Sequence, residues 1–342
     1  MMGLIRYGNL AQTSNLNQYR WVSTGLNSSE MQLAAAQPGI STYYTSAVLV
    51  ANYQDDGVPY SEALANGWLL RDAAGNLITH NNVYIGDVGS AGYQQAFAQH
   101  VAAKLAQYPG LNGTYNDDFP VDPRPIWAGY NCASPGSWPA RYPSRAAWEA
   151  AMVSFAQNVG AYLHARGYYL IANSSGFSCT DAAGSNNGLL TRYWWQRIGP
   201  YFDGLMVEHW MWQNGHTRKV GSSWDNSWDT YADLTNVAQS VGADMIGEDQ
   251  VNSALAYRYG KATLALNWNC GDGTFVLLSS TDPWTYGVNQ NLGCPTGAKY
   301  QVATNVWRRD FAQGYVIVNP TAAAVTVGGV TIASGDAVIH QN

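Results

Sequence analysis

Two stretches, NGTYNDD at 112–118 and DGLMVEHW at 203–210, decide how this chain is read. In each, a Gly is followed by three strand-like residues and then an acid, Asp117 in the first and Glu208 in the second. Side chains alternate along a strand, so Gly113, Tyr115 and Asp117 share one side, as do Gly204, Met206 and Glu208. If both strands belong to one parallel barrel, that parity aims both acids into its mouth, where function gathers at the C-terminal strand ends. Two carboxylates from different strands are the minimum for cleaving a glycosidic bond.

Outward from these two stretches the chain alternates strand-like and helix-like segments. GLIRYG and YRWVST come first, then a short helix near 29–37 and the strand ISTYYTSAVLV (40–50). GWLLRDAAGNLI (67–78) reads as a hairpin turning at Ala74–Gly75, and NVYIGDVG (82–89) as a further strand. Helices are predicted over 90–109 and 144–166, each opened by a Ser, with a long loop rich in Pro, Trp and Gly over 119–143. YYLIANS, a helix near 188–198, GLMVEHW, a helix over 228–241, ADMIGED, ATLALNW and TFVLLSS complete the series. About eight strands precede residue 280, which predicts an α/β fold, a (β/α)8 TIM barrel over 1–295. No glycine-rich phosphate loop follows the first strand, so an open nucleotide-binding sheet lacks its fingerprint. From about 300 the texture becomes short strands and tight turns, read as a small all-β appendage over 296–342 with a structural task.

The composition suits a neutral, hydroxyl-rich ligand. Of 342 residues only 12% are charged, the net charge is -6, and no Lys/Arg cluster tracks phosphates, so no nucleic-acid partner is expected. The chain has 23 Tyr and 14 Trp, rings that stack on sugar C–H faces when exposed and fill the core when buried. No run is long and apolar enough to insert in a membrane. The start, MMGLIRYGN, has no signal-peptide pattern, so the expected secreted or periplasmic location requires a leader outside this sequence. Cys132, Cys179, Cys270 and Cys294 each sit in a Gly/Ser/Pro/Asn-rich loop without metal-site spacing; disulfides 132–179 and 270–294 fit export, free thiols being the alternative.

The candidate catalytic pair is Asp117 and Glu208, with Asp118 expected as a substrate ligand or a tuner of Asp117, the reversed roles of the two being the alternative. Glu248 and Asp249, ending ADMIG, are candidates to bind sugar hydroxyls, and so is Asp87 at the end of the third major strand counted. Asn173 after YYLIA and Asn267 after TLAL offer amides. Tyr44, Tyr115, Trp210, Trp212 and Trp268 are the aromatics expected near the sugar, with His209 beside Glu208. The histidines are too few and scattered for a metal centre, YNDDFPVD lacks calcium-loop spacing, and no GxSxG is present; neither metal nor cofactor is expected.

The pieces GDVGSAGYQQAFAQHVAAKL, LNGTYNDDF, YFDGLMVEHW and GYVIVNPT resemble a group of bacterial glycosyl-hydrolase barrels of the hypothetical family 15 type. In that group a DGxxxD strand follows a helix introduced by D-x-G/N-x-x-x-Y, and a small β unit with an NP turn closes the chain. Asn112 departs from the pattern, which usually has Asp there. A broader likeness is to retaining α-galactosidase-type barrels, whose nucleophile ends strand four and whose acid/base ends strand six. That likeness implies α-linked substrates, Asp117 as nucleophile and Glu208 as acid/base. The expected activity is hydrolysis of a polysaccharide or oligosaccharide, the long loops 119–143 and 209–227 forming cleft walls. The rivals are a carbohydrate-binding barrel without chemistry, in which either acid would point away from the mouth, and a metal-dependent deacetylase or phosphodiesterase-like enzyme, which would need a His/Asp cluster.

Overall fold

The computed structural model describes residues 2–6, 10–54, 57–124, 136–176, 188–213, 215–221, 227–251, 253–277 and 290–342. Strands β1 (Met2–Arg6), β2 (Trp21–Thr24) and β3 (Ile40–Ser46) open the chain, with helix α1 (Ser28–Ala35) between β2 and β3. An antiparallel excursion follows, made of β4 (Leu49–Ala51), helix α2 (Tyr60–Ala65), β5 (Thr79–His80) and β6 (Val83–Ile85). The alternation then resumes through α3 (Ala91–Ala106), β7 (Gly113–Asp117), α4 (Arg145–His164), β8 (Tyr169–Asn173), α5 (Gly188–Ile198) and β9 (Gly204–Val207). A two-strand hairpin, β10 (Trp212–Gln213) with β11 (His216–Thr217), leads to α6 (Trp228–Ser240), β12 (Asp244–Asp249), α7 (Ala254–Asn267) and β13 (Thr274–Leu277).

Eight of these strands close a parallel barrel in the order β1-β13-β12-β9-β8-β7-β3-β2. The TIM-barrel reading therefore holds, with β7 as its fourth strand and β9 as its sixth. Two segments read as major strands fall outside it. NVYIGDVG supplies only β6, the middle of the β4-β6-β5 sheet, so Asp87 does not end a barrel strand. ATLALNW is the second half of α7, whose cap Ser253 accepts from the Ala256 amide at 3.3 Å. This helix is buried nearly all round, between the barrel and the C-terminal sheet, so its apolar run carries no helical stripe to distinguish it from a strand.

The barrel interior is layered. Ile5, Trp21, Tyr115, Ile171, Met206, Ile246 and Val276 form one buried cluster, to which Tyr44 packs from β3. Trp21 meets Tyr115 edge-on with ring centres 5.8 Å apart. These residues fix the inward parity of the strands: Asp117, Asn173, Glu208 and Glu248 lie two positions beyond Tyr115, Ile171, Met206 and Ile246. The outward residues join the larger core shared with the helices.

Beyond the barrel, β14 (Tyr300–Ala303), β15 (Val306–Phe311), β16 (Gly314–Asn319) and β19 (Asp336–Gln341) form an antiparallel sheet. Hairpin β17 (Val325–Val327) and β18 (Val330–Ile332) packs beside it. The sheet lies against α7: Arg258 grips Asp336 through two bonds of 2.9 and 2.8 Å. Arg309 Nη1 donates to the carbonyls of Ala265, Leu266 and Trp268 at the end of that helix. Cys270 and Cys294 form a disulfide with Cα atoms 5.3 Å apart, tying the turn before β13 to the approach of β14. Cys132 and Cys179 lie outside the described residues. No helix among the described residues is long and apolar enough to cross a membrane.

Gly113 begins the strand that carries Asp117, and a Cβ there would lie 2.1 Å from the Tyr169 carbonyl oxygen. Because backbone, not a flexible side chain, blocks it, Gly113→Ala is expected to lower stability by about 2–3 kcal/mol. A lower urea midpoint with unchanged slope would report this; a midpoint equal to wild type would contradict the close β7–β8 approach.

Candidate active site

Asp117 is the last residue of β7, and Glu208 stands one residue past β9. Between them on the barrel wall is β8, which ends on Asn173. Asn173 Nδ2 donates to Asp117 Oδ1 at 2.7 Å and to Glu208 Oε1 at 2.8 Å. One nitrogen serves both contacts, so the two oxygens are separated by no more than the two lengths laid end to end, about 5.5 Å. Facing two carboxyl groups, the amide must present its NH2, because the reverse orientation would set oxygen against oxygen.

The two acids sit in unequal surroundings. Asp117 Oδ1 also accepts from the Asp118 amide at 3.0 Å and the Tyr115 hydroxyl at 3.3 Å, and the Tyr44 phenol bonds to the same carboxylate. Burial pushes the Asp117 carboxyl upward, and these four donors pull against it by stabilising the charged form. Glu208 has the Asn173 amide to pull it down. Burial first, and then the charge of Asp117, push it up to about 7. With more donors on its carboxylate, Asp117 is the better placed of the two to carry the negative charge.

Asp117 and Tyr44 line a cleft of about 470 Å³ together with Gly25, Leu26 and Asn27 from the β2–α1 turn and Gln54 after β4. The amide and backbone groups of this wall are functional candidates that the sequence reading missed. Asn27 is already the cap of α1, accepting from the Ser29 amide, and that cap pattern is its one signal in the sequence. Asp118 follows with φ of 49°, in the left-handed region, which breaks the strand alternation immediately after Asp117, and the Phe119 amide then donates to the Asn173 carbonyl at 2.9 Å.

The adjacent acids of β12 are parted by strand alternation. Glu248 points inward, fully buried, and burial together with Glu208, Asp249 and Asp117 raises its pKa well above the usual range. Asp249 points outward and accepts through Oδ1 from the amides of Met211 and Trp212, both at 2.9 Å. Burial pushes its carboxyl up to about 8 despite these amides and the charge of Arg218. It binds backbone, not sugar hydroxyls.

Four other expected positions are corrected by their placement. Asp87 is buried, accepts from the Tyr142 hydroxyl and pairs with Arg141 at 2.7 Å, which anchors the end of the 119–143 loop. Asn267 and Trp268 belong to the C-terminal end of α7, opposite the barrel mouth, where Asn267 donates to the Ala232 carbonyl and Trp268 to that of Gly271. Trp210 is fully buried, its ring against Gly247 and its Nε1 on the Tyr231 carbonyl, so it is core. His209 and Trp212 remain half-buried on the turn after β9, and the His209 imidazole is held below its usual pKa by burial and by Arg218.

Comparison with known proteins bears on this geometry. Residues 36–315 match hypothetical glycosyl hydrolase family 15. The chain belongs to that family. No curated protein matches it in sequence. A noncanonic maltogenic α-amylase, AmyB from Thermotoga neapolitana, superposes with a TM-score of 0.51 at 9% identity, covering 100% of this chain and 96% of that one. A GH30 endoxylanase from Clostridium papyrosolvens gives 0.49 at 11% identity, covering 100% and 93%. The α-galactosidase AgaA from Geobacillus stearothermophilus gives 0.48 at 11% identity, covering 95% of this chain and 49% of that one. The chain thus spans about half the length of the α-galactosidases it matches. At these identities the likeness is one of fold, a glycosidase-like barrel.

The raised acid at Glu208 has a consequence for stability. Between about pH 4.5 and 7 the folded chain keeps a proton there that the unfolded chain releases, so stability falls as pH rises through that window. Asp249 extends the fall to about pH 8. Thermal midpoints are expected to decline from pH 5 to pH 8, with a shallower decline between 5 and 7 in Glu208→Gln. An identical slope in that variant would contradict the burial of Glu208.

Proposed function

We propose that this protein is a glycoside hydrolase that cleaves a neutral polysaccharide or oligosaccharide with retention of anomeric configuration. The observation that carries the reading is the single Asn173 nitrogen shared by Asp117 and Glu208. It holds one oxygen of each carboxyl within at most about 5.5 Å of the other, which favours the close spacing of about 5–5.5 Å of retaining enzymes over the ~6.5–9.5 Å with which inverting ones seat a water.

In the first step an oxygen of Asp117 attacks the anomeric carbon. The bond to the leaving oxygen breaks, and Glu208 gives that oxygen its proton. In the second, Glu208, now a carboxylate, takes a proton from water; the water oxygen bonds to the anomeric carbon and frees Asp117. The donors on Asp117 suit an ionised nucleophile, and the raised Glu208 suits a group that must hold and then release a proton near neutral pH. Asp118 lies past the end of β7 in a left-handed conformation that breaks the inward alternation, which favours Asp117 for attack. The α-galactosidase-type likeness favours an α-linkage, and the open cleft along Tyr44 and Gln54 suits an oligosaccharide chain. The Cys270–Cys294 disulfide favours an exported protein. A binding barrel without chemistry is disfavoured by the inward placement of both acids.

The test is hydrolysis of a panel of α- and β-linked polysaccharides and oligosaccharides, with the released anomer followed by NMR. Wild type is expected to cleave one linkage with retention. Asp117→Asn and Glu208→Gln, folded, are expected to lose ~10²–10⁴-fold or more in rate. Release of the opposite anomer would overturn retention. Binding without turnover, unchanged in both variants, would overturn the enzyme reading.

A further inference from the structure

Glu208 lies past the end of β9, outside the ladder, so its position depends on the turn that follows it. That turn is constrained: His209 has φ of 52°, a left-handed conformation uncommon for a residue with a Cβ. Two buried side chains grip it from opposite sides. Arg218, just after β11, donates Nε to the carbonyls of His209 at 3.2 Å and Trp210 at 2.6 Å, and Nη2 to His209 at 2.8 Å. Asp249 takes the amides of the next two residues, Met211 and Trp212. Residues 209–212 thus have carbonyls bound at one end and amides at the other.

The grip is itself anchored. The Arg218 guanidinium lies 3.6 Å over the Tyr231 ring, and its carbonyl accepts from the Tyr259 hydroxyl at 2.6 Å. Asp249 is fixed by β12. Its outward parity keeps it from the barrel interior that Glu248 enters.

We propose that Arg218 and Asp249 form a positioning pair for Glu208, holding the 209–212 turn so that the Glu208 carboxyl stays against Asn173 inside the barrel. The geometry stands without the proposed activity; only its catalytic consequence rests on that reading. The groups facing Glu208 are Asp117 from β7, Asn173 from β8 and Glu248 from β12. When the turn loosens, Glu208 swings toward water and its titration moves back toward the ordinary carboxylate value of about 4.3.

Carboxyl 13C NMR titration of Glu208, assigned through the signal lost in Glu208→Gln, tests this without a substrate. Asp249→Ala removes the amide acceptor, and Arg218→Lys keeps the charge but loses the planar fork. Both are expected to lower the Glu208 midpoint by more than ~1 unit. Asp249→Asn, which retains an acceptor oxygen, is expected to titrate as wild type. Should Asp249→Ala fail to fold, Arg218→Lys and Asp249→Asn decide the matter. A folded Asp249→Ala or Arg218→Lys protein with the wild-type midpoint would overturn the proposal, as would Asp249→Asn shifted as far as the disruptive variants. On the substrate found by the panel, the disruptive variants should lose more than ~10-fold in kcat with KM within about twofold. If Glu208→Gln keeps full activity, the functional reading fails while the titrations still judge the grip.

Discussion

One amide shared by two part-buried acids is the constraint on which the rest of this site depends. Asp117 and Glu208 are both pushed toward their neutral forms by burial, and the Asn173 NH2 group is the contact that opposes this for both. Its position requires β7, β8 and β9 to be neighbours, in register and of the same parity. The floor of Tyr115, Ile171, Met206 and Ile246 supplies that parity and also excludes water from below. A slip of one residue in any of these strands would turn an acid or the amide out among the helices.

Much of this was legible from alternation alone. Gly113-x-Tyr115-x-Asp117 and Gly204-x-Met206-x-Glu208 place both acids on the inner side, and Asn173 stands out as the polar end of its own apolar strand. Alternation also separates Glu248 from Asp249, a distinction that treating the two as equivalent hydroxyl binders overlooks. What alternation cannot supply is the third dimension. Arg218 lies nine residues beyond His209, and nothing in that spacing reveals that its guanidinium folds back onto the His209 carbonyl. The misread strands have a related cause. A helix buried on all sides, such as α7, and a short excursion strand, such as β6, both present apolar runs whose true neighbours are set by tertiary packing.

Among the described residues, much of the tryptophan forms an internal scaffold. Trp21, Trp148, Trp194, Trp195, Trp210 and Trp228 are all fully or almost fully buried. Several use the indole N–H to hold backbone at the mouth. Trp148 bonds to the Pro120 carbonyl, Trp194 to that of Phe119 and Trp195 to that of Ser174. These carbonyls lie just beyond Asp117 and Asn173, so large rings from the α4 and α5 layer fix the exits of the strands that carry those two residues. A composition rich in tryptophan thus describes the support behind the barrel mouth as much as the mouth itself.

The enclosure of α7 has a consequence for how the chain is made. The barrel supplies one side of this helix, and the sheet containing β19 supplies the other. Its last carbonyls are capped by Arg309, and its Arg258 waits for Asp336. On a ribosome emitting residues in order, the seventh and eighth strands emerge while α7 still exposes apolar surface to water. The cylinder therefore reaches its final packing only after β19 has left the exit tunnel, which makes the C-terminal sheet a condition of the barrel's completion.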